Sequence, residues 1–100
     1  IRERLNLGRD KYGHGVRVND DTTTWGVSKD SWLEMAIEEY LDAIIYTTAD
    51  YIRKHERASD DLDDNLRILQ LSTNPEEMTK TTFHARAVKC LHELVYLSQQ

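Results

Sequence analysis

The chain has 100 residues, 39% hydrophobic and 31% charged, with a formal net charge of −5. Its length favours one domain with a modest core, and its four glycines and one proline argue against a β-sandwich or barrel. The single Cys90 excludes an internal disulfide framework and favours a reducing cytoplasm. We expect no signal peptide and no membrane partner, because no apolar run is long enough to span a bilayer.

The charge is distributed unevenly along the chain. Residues 1–17 carry a net charge of +3, whereas residues 30–78 carry −9. The acidic part would repel phosphates, so we expect no stable nucleic-acid partner. A basic segment together with an acidic, metal-ready segment suits a small phosphorylated ligand better. The alternative is that these charges are solvated surface.

The first half of the chain predicts two helices and a long loop. Residues 1–12 have a helical pattern that stops at Gly13. Residues 13–28 predict a loop, which at this length is usually functional or mobile. A main helix is predicted to start near Ser28–Ser31, where Ser31-x-x-Glu34 matches a capping box, and to run to about Ala58.

The second half predicts two shorter helices. An acidic run at 60–65 precedes an amphipathic stretch with Leu62, Leu66 and Leu69, and residues 72–77 form a loop with a helix start. The apolar face predicted for the last helix contains Phe83, Ala87, Leu91 and Leu94, with Val88 and Val95 beside it. We therefore predict one all-α domain over residues 1–100, a helical bundle of about four helices completed by dimerisation.

The main helix carries an acidic cluster, Glu38, Glu39 and Asp42. At about 100° per residue these acids lie opposite the predicted apolar face, which contains Leu33, Ile37, Tyr40, Leu41, Ile44, Thr48 and Tyr51. The acidic stripe also contains Met35, Tyr46 and Ala49. Like charges enclosed by apolar side chains repel one another and lose hydration. A hard divalent cation, or Arg and Lys from a neighbouring helix, would compensate them.

Two other groups of residues are candidates for the same site. Asp61 and Asp64 could face the first cluster across a helix turn, although capping and the helix dipole also explain aspartates at a helix start. Arg9, Lys11 and Arg17, with His14, could bind phosphates, or could simply favour solubility.

The remaining candidates are two tryptophans, three histidines and two types of metal site. Trp25 could stack on a nucleobase or cover the edge of the core, and Trp32 is predicted to be core or interface. No Glu-x-x-His pair of a di-iron bundle occurs, and Cys90-Leu91-His92 lacks further zinc ligands. His55, His84 and His92 are most simply surface or hydrogen-bonded histidines.

The motifs resemble those of a known family. Arg9-x-Lys11-Tyr12-Gly13, then Trp32-x-x-Met35-x-x-Glu38-Glu39-x-x-Asp42-x-x-x-Tyr46, is similar to the MazG-like branch of the all-α nucleoside triphosphate pyrophosphohydrolases, especially small phage-type members. The family motif is E-E-x-x-E/D, a variable gap, and E-x-x-D on the next helix. Glu38, Glu39 and Asp42 match its first half, and Asp61-x-x-Asp64 is a diverged second half; alternatively, Glu39-x-x-Asp42 is itself the E-x-x-D. The resemblance covers roughly residues 1–70.

The resemblance implies an activity, a cofactor and a division of roles. A homodimer or higher homo-oligomer would cleave an NTP or dNTP between the α- and β-phosphates, with Mg²⁺ or alternatively Mn²⁺. The first acidic cluster would hold the metal and orient water, and Asp61 and Asp64 would complete the metal shell. Arg9, Lys11 and Arg17 would steady the phosphates.

Two other functions remain open on the residues alone. The chain could be a non-catalytic helical partner protein with an acidic docking face, in which case Glu38, Glu39 and Asp42 should be exposed. It could also be a nucleotide-binding sensor without turnover.

Overall fold

The computed structural model describes residues 1–55, 63–80 and 82–100, and these residues form helices and loops without a strand. The α-helices are α1 (Arg2–Tyr12), α2 (Trp32–His55), α3 (Asp64–Thr73) and α4 (Phe83–Ser98), and the 3₁₀ helices are Thr22–Trp25 and Pro75–Glu77. The predicted all-α class is confirmed. The described residues divide into two compact units, Ile1–Glu34 and Met35–Gln100. The prediction of one domain stays a prediction.

In the first unit, α1 ends where the sequence predicts it to end. Gly13 has φ 77°, a left-handed conformation in which its N–H reaches Arg9 O, closing the last turn. The predicted loop that follows contains the 3₁₀ helix Thr22–Trp25, whose N-cap Asp21 accepts a hydrogen bond from the Thr23 N–H.

Thr22 organises this loop through three hydrogen bonds. Its side chain is fully buried, and its Oγ1 donates to Lys29 O at 3.0 Å and accepts from the Ser31 N–H at 2.7 Å. Its own N–H donates to Asp30 Oδ1 at 3.0 Å. One threonine therefore fixes three residues of the segment that leads into α2.

The start of α2 uses half of the predicted capping box. Ser31 Oγ accepts the Glu34 N–H at 3.2 Å, as the motif requires. The Glu34 carboxylate does not return a bond to the Ser31 N–H, because Thr22 already accepts that proton. Glu34 instead accepts hydrogen bonds from the hydroxyl and the N–H of Ser28, and these bonds lower the pKa of Glu34. The predicted continuation of α2 to Ala58 lies outside the described residues.

In the second unit, three helices surround one hydrophobic core. The buried side chains come from the C-terminal half of α2, from α3, from α4 and from Met78 between them, and comprise Ile44, Tyr51, Ile52, Leu71, Met78, Ala85 and Val88. Ile68 and Leu91 pack against this cluster. The predicted apolar face of α2 is thus buried only from Ile44 onward, whereas Leu33 and Leu41 are exposed.

The buried face predicted for α3 is wrong, and the one predicted for α4 is right in part, because Val88 is buried and Leu91 packs against the core. Leu66 and Leu69 are exposed, and the inward residues of α3 are Ile68, Leu71 and Ser72. Phe83 and Leu94 are likewise exposed.

Polar partners on facing elements explain the shifted faces. The buried His84 donates from Nε2 to Asp50 Oδ2 at 2.7 Å, and His92 donates from Nε2 to Ser72 O. These bonds turn the two histidines inward, and Val88 between them is completely buried. The prediction of hydrogen-bonded histidines is confirmed for this pair. No described helix combines the length and apolar composition needed to cross a bilayer.

Candidate acidic site on α2

The acidic cluster lies on the N-terminal half of α2. Glu38 and Asp42 are one helical turn apart, and Glu39 is displaced by about 100° around the axis. All three side chains are exposed. Within the described part of the chain, none of the three forms an ion pair or side-chain hydrogen bond. The alternative in which neighbouring Arg or Lys neutralises them is therefore not observed among those residues.

Among the described residues, the acids lack the apolar enclosure that was expected. Met35 and Ala49 are half-buried on the same stripe, but Tyr46 is 68% exposed. Ile45 and Leu41, next to the acids on the other side, are each 46% exposed. The acids thus lie in an exposed surface of mixed acidic and apolar character.

The carboxylates of the cluster suit a hard divalent cation, but they could supply only part of its coordination shell. Among residues 1–55, 63–80 and 82–100, no three His, Cys, Asp or Glu side chains are placed to hold a metal ion together. Glu38 and Asp42 still offer two carboxylates at i and i+4. Mg²⁺ commonly binds through one or two carboxylates, with water and substrate phosphates completing the octahedron.

The second acidic run has a structural role in its described part. Asp63 is the N-cap of α3, and its Oδ1 accepts the Leu66 N–H at 3.2 Å. Asp64 follows in the first turn of α3 and is exposed, a position that the helix dipole favours for a carboxylate. Asp61 lies outside the described residues. The capping explanation is therefore confirmed for Asp63, and a metal role for Asp64 stays a prediction.

The predicted phosphate-binding residues belong to the Ile1–Glu34 unit. Arg17 forms a salt bridge from Nε to Asp20 Oδ2 at 3.0 Å, and its Nη2 lies 3.0 Å from His14 Nε2. Lys11 lies 5.3 Å above the Tyr12 ring, and Arg9 is exposed on α1. Arg17 would have to exchange its carboxylate partner for a phosphate, whereas Arg9 and Lys11 need no such exchange.

The two tryptophans form a contact that the sequence alone did not predict. Trp25 and Trp32 pack edge to face with their ring centroids 5.4 Å apart, and the Trp32 indole N–H donates to Val18 O at 2.7 Å. Trp25 keeps 47% of its surface exposed. Its ring therefore has an accessible part that could stack on a base, although its fixed contact is with Trp32.

A second polar cluster was missed from the sequence. Asp50 Oδ2 accepts hydrogen bonds from buried His84 and from Lys54 Nζ at 3.2 Å. Both hydrogen bonds lower the pKa of Asp50, and the bond from His84 has the larger effect. The His84 ring also contacts those of Tyr51 and His55 edge to face. The i, i+4 spacing of Asp50 and Lys54 can be recognised in the sequence, but the hydrogen bond from Asp50 to His84 on α4 depends on tertiary packing.

The described geometry leaves the α2 carboxylates as the group best suited to a cation. They are exposed, adjacent and free of described basic partners. No protein-family model, curated protein or solved structure matches the chain.

Proposed function

We propose that the chain is a Mg²⁺-dependent nucleoside triphosphate pyrophosphohydrolase of the MazG-like type, acting on a dNTP in preference to an NTP. Its products would be the nucleoside monophosphate and pyrophosphate. The observation that carries the proposal is the pair of exposed carboxylates, Glu38 and Asp42, one turn apart on α2 and without a described basic partner. The enzyme would act as a homo-oligomer in the cytoplasm, that of the host if the chain is phage-encoded.

The residues of the proposed site divide into three tasks. Glu38 and Asp42 would hold Mg²⁺, or Mn²⁺ in its place, and the bound ion would offset phosphate charge during cleavage. Glu39 would accept a hydrogen bond from the attacking water and orient it. Arg9 and Lys11 would bind phosphate oxygens. Trp25 could stack on the base, and Asp61 and Asp64 would complete the metal shell.

The test is a product assay on the full chain. The protein is incubated with each of the eight common NTPs and dNTPs, with and without Mg²⁺, and monophosphate and pyrophosphate are quantified. We expect equal amounts of the two products with at least one substrate, and none without a divalent cation. Replacing Glu38→Gln and Asp42→Asn together should lower kcat/KM by more than about a hundredfold, because both metal carboxylates are lost.

A matched variant distinguishes the loss of metal carboxylates from a general loss of negative charge. Glu93 is exposed on α4, so Glu93→Gln makes the same chemical change away from α2 and should leave kcat/KM unchanged. Absence of Mg²⁺-dependent release by the native chain would contradict the enzyme proposal. Tight nucleotide binding without release would instead favour the sensor function.

A second function is favoured by one specific observation. The exposure of Glu38, Glu39 and Asp42 in the single chain also suits an acidic docking face for a basic partner protein. In that case the α2 variants would weaken partner binding, and no nucleotide would be hydrolysed. The product assay therefore discriminates between the two functions.

A further inference from the structure

Helix α4 has two apolar faces. Its inner face supplies Ala85 and Val88 to the core, and Leu91 packs against that core. A second apolar face lies about 140° away around the helix axis. This outer stripe consists of Phe83, Ala87, Cys90, Leu94 and Leu97. Packing within the Met35–Gln100 unit needs only the inner face, so the core does not account for the outer stripe.

The described residues of the Met35–Gln100 unit leave the outer stripe open to a partner. Phe83 is 74% exposed, Leu97 is 55% exposed and Leu94 is 40% exposed. Cys90 between them is a free, exposed cysteine. Apolar side chains that lie together on a surface commonly mark an interaction site.

The spacing of the outer stripe is that of a seam between paired helices. Its successive members are four, three, four and three residues apart, which is the alternation of the heptad repeat. A seam of this kind faces a partner helix along its length, and this one extends over about 21 Å. The spacing therefore favours another helix, with an apolar seam of similar length, as the partner.

The outer stripe is complementary to itself about Cys90. Phe83 and Leu97 lie seven residues before and after Cys90. Ala87 lies three residues before it and Leu94 four residues after it. In an antiparallel pair of α4 helices, Phe83 of one copy would therefore face Leu97 of the other, and the large Leu94 would face the small Ala87. Large side chains opposite small ones allow facing helices to interdigitate.

The charges beside the outer stripe have the same symmetry. Arg86 and Glu93 border it on one side, four residues before and three residues after Cys90. Both are exposed, and neither forms an ion pair with the described residues. In an antiparallel pair, Arg86 of each copy would lie beside Glu93 of the other. A parallel pair would bring neither charge close to its opposite, so the charges favour the antiparallel arrangement.

We propose that two copies of the chain associate through an antiparallel pair of α4 helices, with Cys90 of both copies at the twofold axis. The contact is isologous, because the same surface of each copy is used. An interface with one helix from each copy is at the small end of protein interfaces, so we expect a dissociation constant in the micromolar range. The proposal goes beyond the proposed function, because the pairing needs neither nucleotide nor metal.

Charge reversal tests the pairing and its direction. The full-length variants are Arg86→Glu, Glu93→Arg and the double variant with both changes, compared with wild type by sedimentation equilibrium at low ionic strength. Each single reversal places like charges together twice in a dimer and should weaken association by more than about tenfold. The double variant restores opposite charges across the antiparallel pair and should associate within about threefold of wild type. Neutralisation by Glu93→Gln removes only the attraction and should change association by less than about fivefold.

Apolar variants test the outer stripe itself. Leu94→Gln with Leu97→Gln should weaken association by more than about tenfold, because the seam loses two of its large side chains. Tyr96→Gln is the matched control, since Tyr96 is 63% exposed on α4 but lies outside the outer stripe. Arg53→Glu makes the same charge change as Arg86→Glu on α2. Both controls should leave association unchanged, and far-UV circular dichroism verifies that every variant keeps its helix content.

Chemical cross-linking tests the position of Cys90. Paired helices have axes about 8 to 10 Å apart, so two cysteines at the twofold axis are within reach of a short bismaleimide. Wild-type protein at a concentration where it is dimeric should give a covalent dimer, and the Leu94→Gln, Leu97→Gln variant at the same concentration should give little. Failure of the associated wild type to cross-link would overturn the placement of Cys90.

The remaining outcomes are equally decisive. A monomeric wild type, or undiminished association of the Leu94→Gln, Leu97→Gln variant, would overturn the proposal. A double charge variant that associates no better than the single reversals would overturn the antiparallel arrangement. If the wild type associates through α4 but hydrolyses no nucleotide, the proposed function fails and the α4 pairing stands.

Discussion

Replacing Thr22 by valine should destabilise the first unit far more than the same change at Thr48, although both side chains are fully buried. Thr22 Oγ1 serves two backbone partners, Lys29 O at 3.0 Å and the Ser31 N–H at 2.7 Å. Thr22→Val keeps the shape and removes both bonds. Each hydrogen bond contributes about 1 to 1.5 kcal/mol, so the free energy of unfolding should fall by about 2 to 3 kcal/mol. Thr48 Oγ1 only donates to Ile44 O, a carbonyl one turn back in the helix, so Thr48→Val should cost less than about 1 kcal/mol.

Urea unfolding followed by two signals measures this difference. Trp25 and Trp32 both lie in the Ile1–Glu34 unit, so their fluorescence reports on the Thr22 network, while far-UV circular dichroism reports on the helices. Thr22→Ser is the matched control, because it keeps the hydroxyl and loses one methyl group, at about 1 kcal/mol. The reasoning would be refuted if Thr22→Val cost no more than Thr48→Val, or if Thr22→Ser cost more than Thr22→Val.

Two further predictions concern the Met35–Gln100 unit. The pKa of Asp50 is lowered from its ordinary value of 3.8 by His84 and Lys54, so its stabilising effect should be present above that value and be lost as the pH falls toward the lowered pKa. Asp50→Asn should therefore lower Tm at pH 7. In thermal scans between pH 7 and pH 2.5, the difference in Tm between the variant and the wild type should shrink below the ordinary pKa of Asp50. A difference in Tm that stays constant would contradict this. On α3, Leu71→Ala should lower the free energy of unfolding in urea by about 2 to 5 kcal/mol, because Leu71 is 1% exposed. Leu69→Ala should lower it by under about 1 kcal/mol, because Leu69 is 58% exposed. Equal losses in the free energy of unfolding would contradict the assignment of Leu71 to the inward face of α3 and of Leu69 to its exposed face.

Local signals in the sequence predicted the helix ends better than the buried faces. Gly13 ends α1 because a left-handed residue is needed there, and this requirement is visible in a single residue type. Asp63 caps α3 for a similarly local reason. Both depend only on neighbours in the chain.

The buried faces depend on partners that are distant in the chain. His84 looks polar in the sequence, yet Asp50 makes its burial favourable, and α4 turns that side inward instead of Phe83. Glu34 similarly accepts from Ser28 because Thr22 occupies the Ser31 N–H. For the candidate site, the clustering of Glu38 and Asp42 followed from helical spacing, but their exposure could not be derived from the pattern of Met35, Tyr46 and Ala49.

The uneven burial of α2 separates its sequence into two zones with different tolerance to substitution. At Ile44, Tyr51 and Ile52 the helix supplies core side chains, so most changes of size or polarity at these positions should reduce the amount of folded protein. The acids Glu38, Glu39 and Asp42 are exposed and form no ion pair or side-chain hydrogen bond with the described residues. A saturation library of α2 scored for abundance should therefore tolerate most substitutions at Glu38, Glu39 and Asp42. The same library scored for function would reveal any selection on these residues that is independent of folding.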